Sequence, residues 1–355
     1  MKLLAAISHH GLGHLAQAGP VLSRIHALTP ELELTIWSGL SRDALAARIP
    51  FPFRHRAEAA DVGLAMVDAL AVDIPRSHSA YLGFHRDWTQ RVARECEWLG
   101  EQEFAGVFAD AAYLPLAAAR QAGIPGIGLC SLNWFDIAGA YLTGLPGMSA
   151  ILAEIGRAYQ DARAFLRPAP SMPMAWLGNT LSIPPIAARG NRRRDELEAC
   201  LGPRRDTRRI LVGFGGIGYQ GGLPSIPDIT WLAPDDWTRP GRDDVVGFSA
   251  LGSLPFIDLL ASSDALLTKV GYGSFVEAAA HDIPLLYIDR PDWPETPYLA
   301  EWLGRMARGL PITEAMLRGG RIEPCLERLW AMRTVPDMRA DGADTAARRI
   351  LELLV

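Results

Sequence analysis

The sequence predicts an α/β protein built as two Rossmann-like parallel-sheet domains that face a central cleft. Three observations predict it. Short apolar runs alternate with stretches of helical spacing in both halves, the βαβ rhythm of a parallel sheet. Each half opens with an apolar run that ends in a glycine-rich turn. Between the halves, residues 171–190 (SMPMAWLGNTLSIPPIAARG) are rich in proline and lose sustained periodicity, the mark of an interdomain linker. The expected division is therefore residues 1–170, a linker over 171–190, a second domain over 191–342, and a C-terminal helix over 343–355 that can pack back on the first domain.

Taken in order, residues 2–8 (KLLAAIS) predict a first strand, residues 15–28 an amphipathic helix, and residues 32–37 (LELTIW) a second strand. Residues 104–109 (FAGVFA) form a further apolar run ending at Asp110, followed by helical spacing over 113–122 and an apolar run over 126–130. Residues 139–166 read as largely helical. In the second half, 191–202 predicts a helix stopped by Gly202-Pro203. Strands are expected at 209–214, 229–232, 244–247, 263–268 and 283–288. The basic runs Arg192–Arg194 and Arg204-Arg205 are expected on exposed helix ends.

Composition narrows the function. A net charge of −5 argues against a general nucleic-acid or anionic-membrane binder, although one anionic ligand and peripheral membrane contact stay open. Cys96, Cys130, Cys200 and Cys325 are scattered without metal spacing and are expected reduced and mostly buried. The first residues read as a strand rather than a signal peptide, and no run has transmembrane length, so a cytoplasmic enzyme or binding protein is expected.

The turn Ser8-His9-His10-Gly11-Leu12-Gly13-His14 lies at the carboxyl end of the first strand, where open α/β sheets bind ligands. Gly11 and Gly13 allow close backbone approach, and the amides opening the next helix suit an oxyanion. It is not GxGxxG, because Ala16 stands three residues after Gly13, and no acidic residue ends the next strand. Histidine suits proton transfer near neutral pH, and His14, entering the helix, is the leading candidate base. Asp110 is the second candidate, as a base or as the group that orients His14. Adjacent histidines cannot easily share an ion, so no metal is expected.

The strongest signal is the second-half turn after the run 263–268. Lys269, Gly271, Tyr272, Gly273 and Ser274 lead into a helix, with Ser274 expected as N-cap and Glu277 three residues on as its capping-box partner. Turn amides, helix N-terminus and Lys269 together suit a diphosphate. GxxxxGK[ST] is absent, which disfavours ATP hydrolysis. The turn Gly213–Gly222 adds Gly215 and Gly216, whose amides can approach a diphosphate or a sugar.

These segments, with Phe256–Leu260 before them, resemble the donor-binding half of GT-B glycosyltransferases. The chain is similar to the peptidoglycan N-acetylglucosaminyltransferase group and to the glycosyltransferase-like N-terminal region of plant-type L-arabinokinases. The resemblance spans nearly the whole chain, but its specific motifs cover about three short segments. It implies a GT-B fold, with the Gly-x-Gly-His turn on the acceptor side. It implies Gly271, Gly273 and Ser274 near a donor diphosphate, Glu277 at the ribose, Phe256 bordering the base and Glu295 against the donor sugar. The loop Asp289–Tyr298 departs from the peptidoglycan group, carrying carboxylates where that group has amides. The implied activity is metal-independent transfer of a sugar from a nucleotide diphosphate sugar, a UDP-sugar first, to an unidentified small-molecule or polymer acceptor. The rivals are a sugar-nucleotide 2-epimerase and a non-catalytic sugar-nucleotide-binding protein. Asn133, Trp134 and Asp136, and the region His78–Arg94, are further candidates for the acceptor side.

Overall fold

The computed structural model describes residues 1–204, 206–216, 218–219, 221–334 and 338–354. Arg205 of the second basic run, Ile217 of the glycine-rich turn and Val355 of the terminal helix lie outside them.

The first sheet comprises β1 (Lys2–Ile7), β2 (Glu33–Trp37), β3 (Arg54–Arg56), β4 (Gly106–Asp110), β5 (Gly126–Leu129), β6 (Ala164–Pro168) and β7 (Thr180–Ile183). All are parallel, in the order β3-β2-β1-β4-β5-β6-β7. The second comprises β8 (Arg208–Gly213), β9 (Ile229–Ala233), β10 (Val245–Gly247), β11 (Ala265–Lys269), β12 (Leu285–Ile288) and β13 (Gly309–Ile312). It too is parallel, in the order β10-β9-β8-β11-β12-β13. The central strands are near-continuous apolar runs because helices cover both faces of each sheet.

In both sheets the strand order reverses beside the first strand. That reversal opens a crevice at the carboxyl ends of β1 and β4, and another at those of β8 and β11. Register fixes what meets there. Ile7 pairs with Asp110, and the Ser8 amide donates to the Asp110 carbonyl at 3.1 Å, so the histidine-rich turn lies beside Asp110. Thr268 pairs with Gly213 and its hydroxyl donates to the Gly213 carbonyl at 2.7 Å, so the second glycine turn lies beside Lys269.

The structure corrects several expectations. The segment 171–190 is not wholly linker: its TLSI run is β7, extending the first sheet beyond β6. The apolar tail of 139–166 is not helical, since Ala164–Pro168 pairs with β5 as β6. Of the four free cysteines only Cys130 is buried. Cys96, Cys200 and Cys325 lie on amphipathic helices, which leaves them partly or fully exposed.

The last helix, Gly342–Leu354, packs Ala346, Ala347 and Ile350 into the first domain's core with Leu15, Ala18 and Leu22 of the helix Leu12–Leu28. The chain therefore passes between domains twice, and the passages touch. Ile186 and Asp341 form an antiparallel bridge, and the Gly342 amide donates to the Pro185 carbonyl at 3.0 Å. A finger from the first domain, closed by a Met66–Val72 bridge, buries Ala69 in the second domain's core.

Candidate active site

A cavity of about 440 Å³ lies between the carboxyl edges of the two sheets. From the first domain Gly11, Gly13 and His14 line it. From the second come Gly215, Gly216, Phe256, Lys269, Gly271, Tyr272, Gly273, Ser274, Glu277 and Glu295. The glycines and His14 of the first turn, the Lys269–Ser274 turn and Glu295 of the 289–298 loop thus meet in one space, while Asp110 stands behind His14 and His9 lies outside the lining.

His14 is 5% exposed, and its Nδ1 lies 2.7 Å from Asp110 Oδ1. A carboxylate accepts, so Nδ1 carries the proton and Nε2 is the nitrogen left for a substrate. Burial works against the imidazolium, but the Asp110 hydrogen bond and charge outweigh it, and the His14 pKa is raised. Asp110, His14 and Cys130 bring potential metal-ligating atoms within 4.8 Å of one another. As metal ligands they are poorly disposed. Nδ1 and Oδ1 already engage each other, and burial raises the Cys130 pKa well above that of an ordinary thiol. His10 is pushed down to about 3, first by burial and then by the charges of His14 and Lys269; its ring stacks on Trp293 of the other domain at 6.2 Å. His9 is raised by its contact with Asp61, which lies 3.4 Å away and also accepts from Trp134 Nε1.

On the facing wall the helix Tyr272–Ala280 begins three residues earlier than expected. Gly271 is its N-cap and no side chain caps it. The chain leaves β11 extended and turns at Gly271, whose carbonyl accepts from the Phe275 amide at 3.2 Å, so Ser274 is inside the first turn. The capping box is therefore absent, and Glu277 serves elsewhere. Arg48 of the first domain donates to its two carboxylate oxygens at 2.6 and 3.3 Å. Tyr272 lines the cavity with its ring only. Its hydroxyl donates to the Ala169 carbonyl at 3.2 Å and accepts from the Ile186 amide at 2.8 Å, tying the helix to the connecting segment.

The Lys269 ammonium has no hydrogen bond or ion pair among the described residues, and burial, with Arg290 nearby, lowers its pKa to about 8. Glu295 is 3% exposed. It accepts from Ser131 Oγ across the cleft at 2.6 Å and from Trp293 Nε1 at 3.4 Å, and burial raises its pKa. Phe256 lays its ring along Gly213, where a Cβ would come within 2.9 Å, and meets Phe248 edge-on at 6.2 Å.

The first-domain turn is partly occupied. Leu12, the first residue of its helix, donates its amide to the Gly215 carbonyl at 3.0 Å, so that amide is not free for an oxyanion. The acceptor-side candidates fare worse. Trp134 is fully buried, Asn133 caps its own helix, and Asp136 accepts from Trp176. In the 78–94 region, His85 is neither a cleft residue nor solvated. It is buried between Glu154 at 2.7 Å and Tyr113 at 3.0 Å. Arg193 and Arg194 of the first basic run pair with Glu196, Glu198 and Asp264.

Sequence reasoning missed Arg48, Ser131, Phe248, Leu254 and Trp293 on the cavity wall. Arg48 stands in no motif. It reaches the site because Gly19 lets its backbone approach to 3.2 Å of where a Cβ would be. Phe248 and Leu254 precede the quoted Phe256 run, and only the turn before the Phe256–Ser262 helix brings them in.

Twin all-parallel sheets whose glycine turns face each other across a cleft define the GT-B fold, the two-domain architecture of many glycosyltransferases. This chain has that fold. Its structure is similar to that of a glycosyltransferase of kitacinnamycin, with TM-score 0.58 at 15% identity, covering 99% of this chain and 94% of the other. A calicheamicin glycosyltransferase matches with TM-score 0.58 at 16% identity, covering 99% and 94%. A glycosyltransferase solved in complex with dTDP matches with TM-score 0.53 at 16% identity, covering 100% and 95%. In sequence the chain is 24% identical to an L-arabinokinase of Arabidopsis thaliana over 360 residues, 98% of this chain and 34% of that protein. It thus spans about a third of that relative's length. No protein-family model matches the chain. Among the described residues no helix is long and apolar enough to cross a membrane.

Proposed function

We propose that this protein transfers a glycosyl group from a nucleoside diphosphate sugar to an acceptor hydroxyl, without a metal ion. The observation that carries this reading is the His14–Asp110 pair set across one cavity from Lys269 and the uncapped start of the Tyr272–Ala280 helix. His14 Nε2 takes the acceptor hydroxyl proton while Asp110 holds the Nδ1 proton and steadies the imidazolium. As the acceptor oxygen bonds to the anomeric carbon, the bond to the diphosphate oxygen breaks and the leaving group keeps the electron pair. Lys269 and the helix amides stabilise that charge. Glu277, the sixth residue of the same helix, lines the cavity and, although held by Arg48, keeps lone pairs for ribose hydroxyls, and Phe256 with Phe248 borders the base. Glu295 faces the sugar. Solved neighbours are described with UDP-2-fluoro-glucose and with dTDP, so uridine and thymidine donors are the first to try. The four free thiols suit a reducing compartment, the cytoplasm.

The test is release of nucleoside diphosphate from UDP- and dTDP-hexoses with a panel of hydroxyl acceptors. His14→Ala is expected to cut turnover by about 10²–10⁴-fold. Donor binding by calorimetry should stay within about twofold. Failure to bind any such donor, or turnover indifferent to His14→Ala, overturns the reading. An epimeric nucleotide sugar formed without acceptor would replace it.

A further inference from the structure

Arg290 is 4% exposed on the wall of the same cavity, and its Nε and Nη2 atoms are buried with no hydrogen-bond partner among the described residues. The side chain is held in place. Its guanidinium carbon lies 4.5 Å from the Trp293 ring centroid. The Arg290 carbonyl accepts from Thr296 Oγ1 at 2.7 Å and from the Trp293 amide at 2.9 Å, which locks the turn. The carboxylates of that turn are engaged elsewhere. Glu295 is held by Ser131 and Trp293, and Asp292 by the Tyr141 hydroxyl. A rigid guanidinium kept from water, with Asp292, Glu295 and Asp68 acting on it only at a distance and no carboxylate in ion-pair contact among the described residues, is costly unless a ligand supplies a direct partner.

Register says which part of a ligand reaches it. Ile288 of β12 pairs with Lys269 of β11, and Arg290 follows two residues beyond Ile288. Arg290 therefore stands on the donor side of the cleft, next to the lysine assigned to the diphosphate, where the transferred sugar comes next. Lys269 and the helix amides already answer the diphosphate charge. A neutral hexose would offer Arg290 hydroxyls only, whereas a planar carboxylate matches its fork with two charge-assisted bonds. Resting on the transfer reading above, the geometry points to a donor whose sugar carries a carboxylate, a nucleoside diphosphate uronic acid, with Arg290 as the residue that selects it.

The test is calorimetric titration of the full chain with UDP-glucuronate, UDP-galacturonate, UDP-glucose and UDP. At least one uronate is expected to bind about 10- to 100-fold more tightly than UDP-glucose. Arg290→Gln should erase that preference while leaving UDP affinity unchanged, and Arg290→Lys, which keeps the charge but not the fork, should restore part of it. Equal binding of UDP-glucose and both uronates by the wild-type chain overturns the assignment without any variant. A loss of UDP binding in Arg290→Gln equal to the loss of uronate binding overturns it too, placing Arg290 on the diphosphate. If no nucleotide binds at all, the transfer reading itself fails, a result distinct from both.

Discussion

Arg48 and Glu277 join the two domains through a fork on a carboxylate, with Nη1 to Oε1 at 2.6 Å and Nη2 to Oε2 at 3.3 Å. Glu277 is 3% exposed and Arg48 23% by side chain, so the pair is shielded on one side only. Arg48→Ala would leave a buried carboxylate without its partner. It is expected to cost about 1–3 kcal/mol, short of the full price of a wholly buried pair because Arg48 keeps contact with water. Urea unfolding followed by circular dichroism checks this. A loss under about 0.5 kcal/mol would show that solvent already screens the contact.

The His14–Asp110 pair sets the acid side of the pH profile. As a base His14 works when neutral, and its pKa lies above the ordinary histidine value, so turnover should fall as pH drops through a point above 6.5. Asp110→Asn removes the charge that favours the imidazolium. The acid limb should then move to lower pH even as the maximal rate falls by about 10²-fold or more. A limb that stays in place would exclude His14 as its source.

Lys269 makes donor binding depend on pH on the alkaline side. Without ligand it loses its proton near pH 8, whereas a diphosphate beside it favours the charged form and raises the pKa. Binding should take up protons above pH 8 and weaken by up to about tenfold per pH unit there. Calorimetry in buffers of different ionisation enthalpy reads the uptake directly, and Lys269→Met should abolish it.

Gly273 packs closely against the first domain: a Cβ there would lie 2.9 Å from the Ala16 Cβ. Gly273→Ala should wedge the helix Tyr272–Ala280 away from the helix Leu12–Leu28. Nucleotide affinity should fall by about tenfold or more while neither sheet unfolds. Unchanged affinity would show that the helices part without consequence for the site.

Much of this arrangement was legible in the sequence because it is written in local signals. Apolar runs marked β1, β4, β8 and β11, and glycine turns marked the loops at their carboxyl ends. The rule that parallel sheets bind ligands at those ends then put His14 and Lys269 at one cleft. What stayed hidden depends on long-range placement. Arg48 carries no motif and matters only through a contact 229 residues away in sequence. Ser274 and Glu277 had the spacing of a capping box, yet the helix starts at Tyr272 after an extended Gly271 N-cap, and Arg48 holds the glutamate. β7 was concealed among prolines, since strand addition at the β6 edge gave TLSI its partner.

The bridge between Ile186 and Asp341 staples the two interdomain passages at one place. Two loose threads would let the halves slide, twist or drift apart; stapled, they act as a single pin. A closing motion about this pin is expected to be a swing that returns His14 and Lys269 to one mutual position. The pin tolerates no bulk, since any side chain at Gly342 would collide with the Pro184 carbonyl oxygen. Position 342, which touches no ligand, is thus where a single added methyl group would spoil the alignment of both halves.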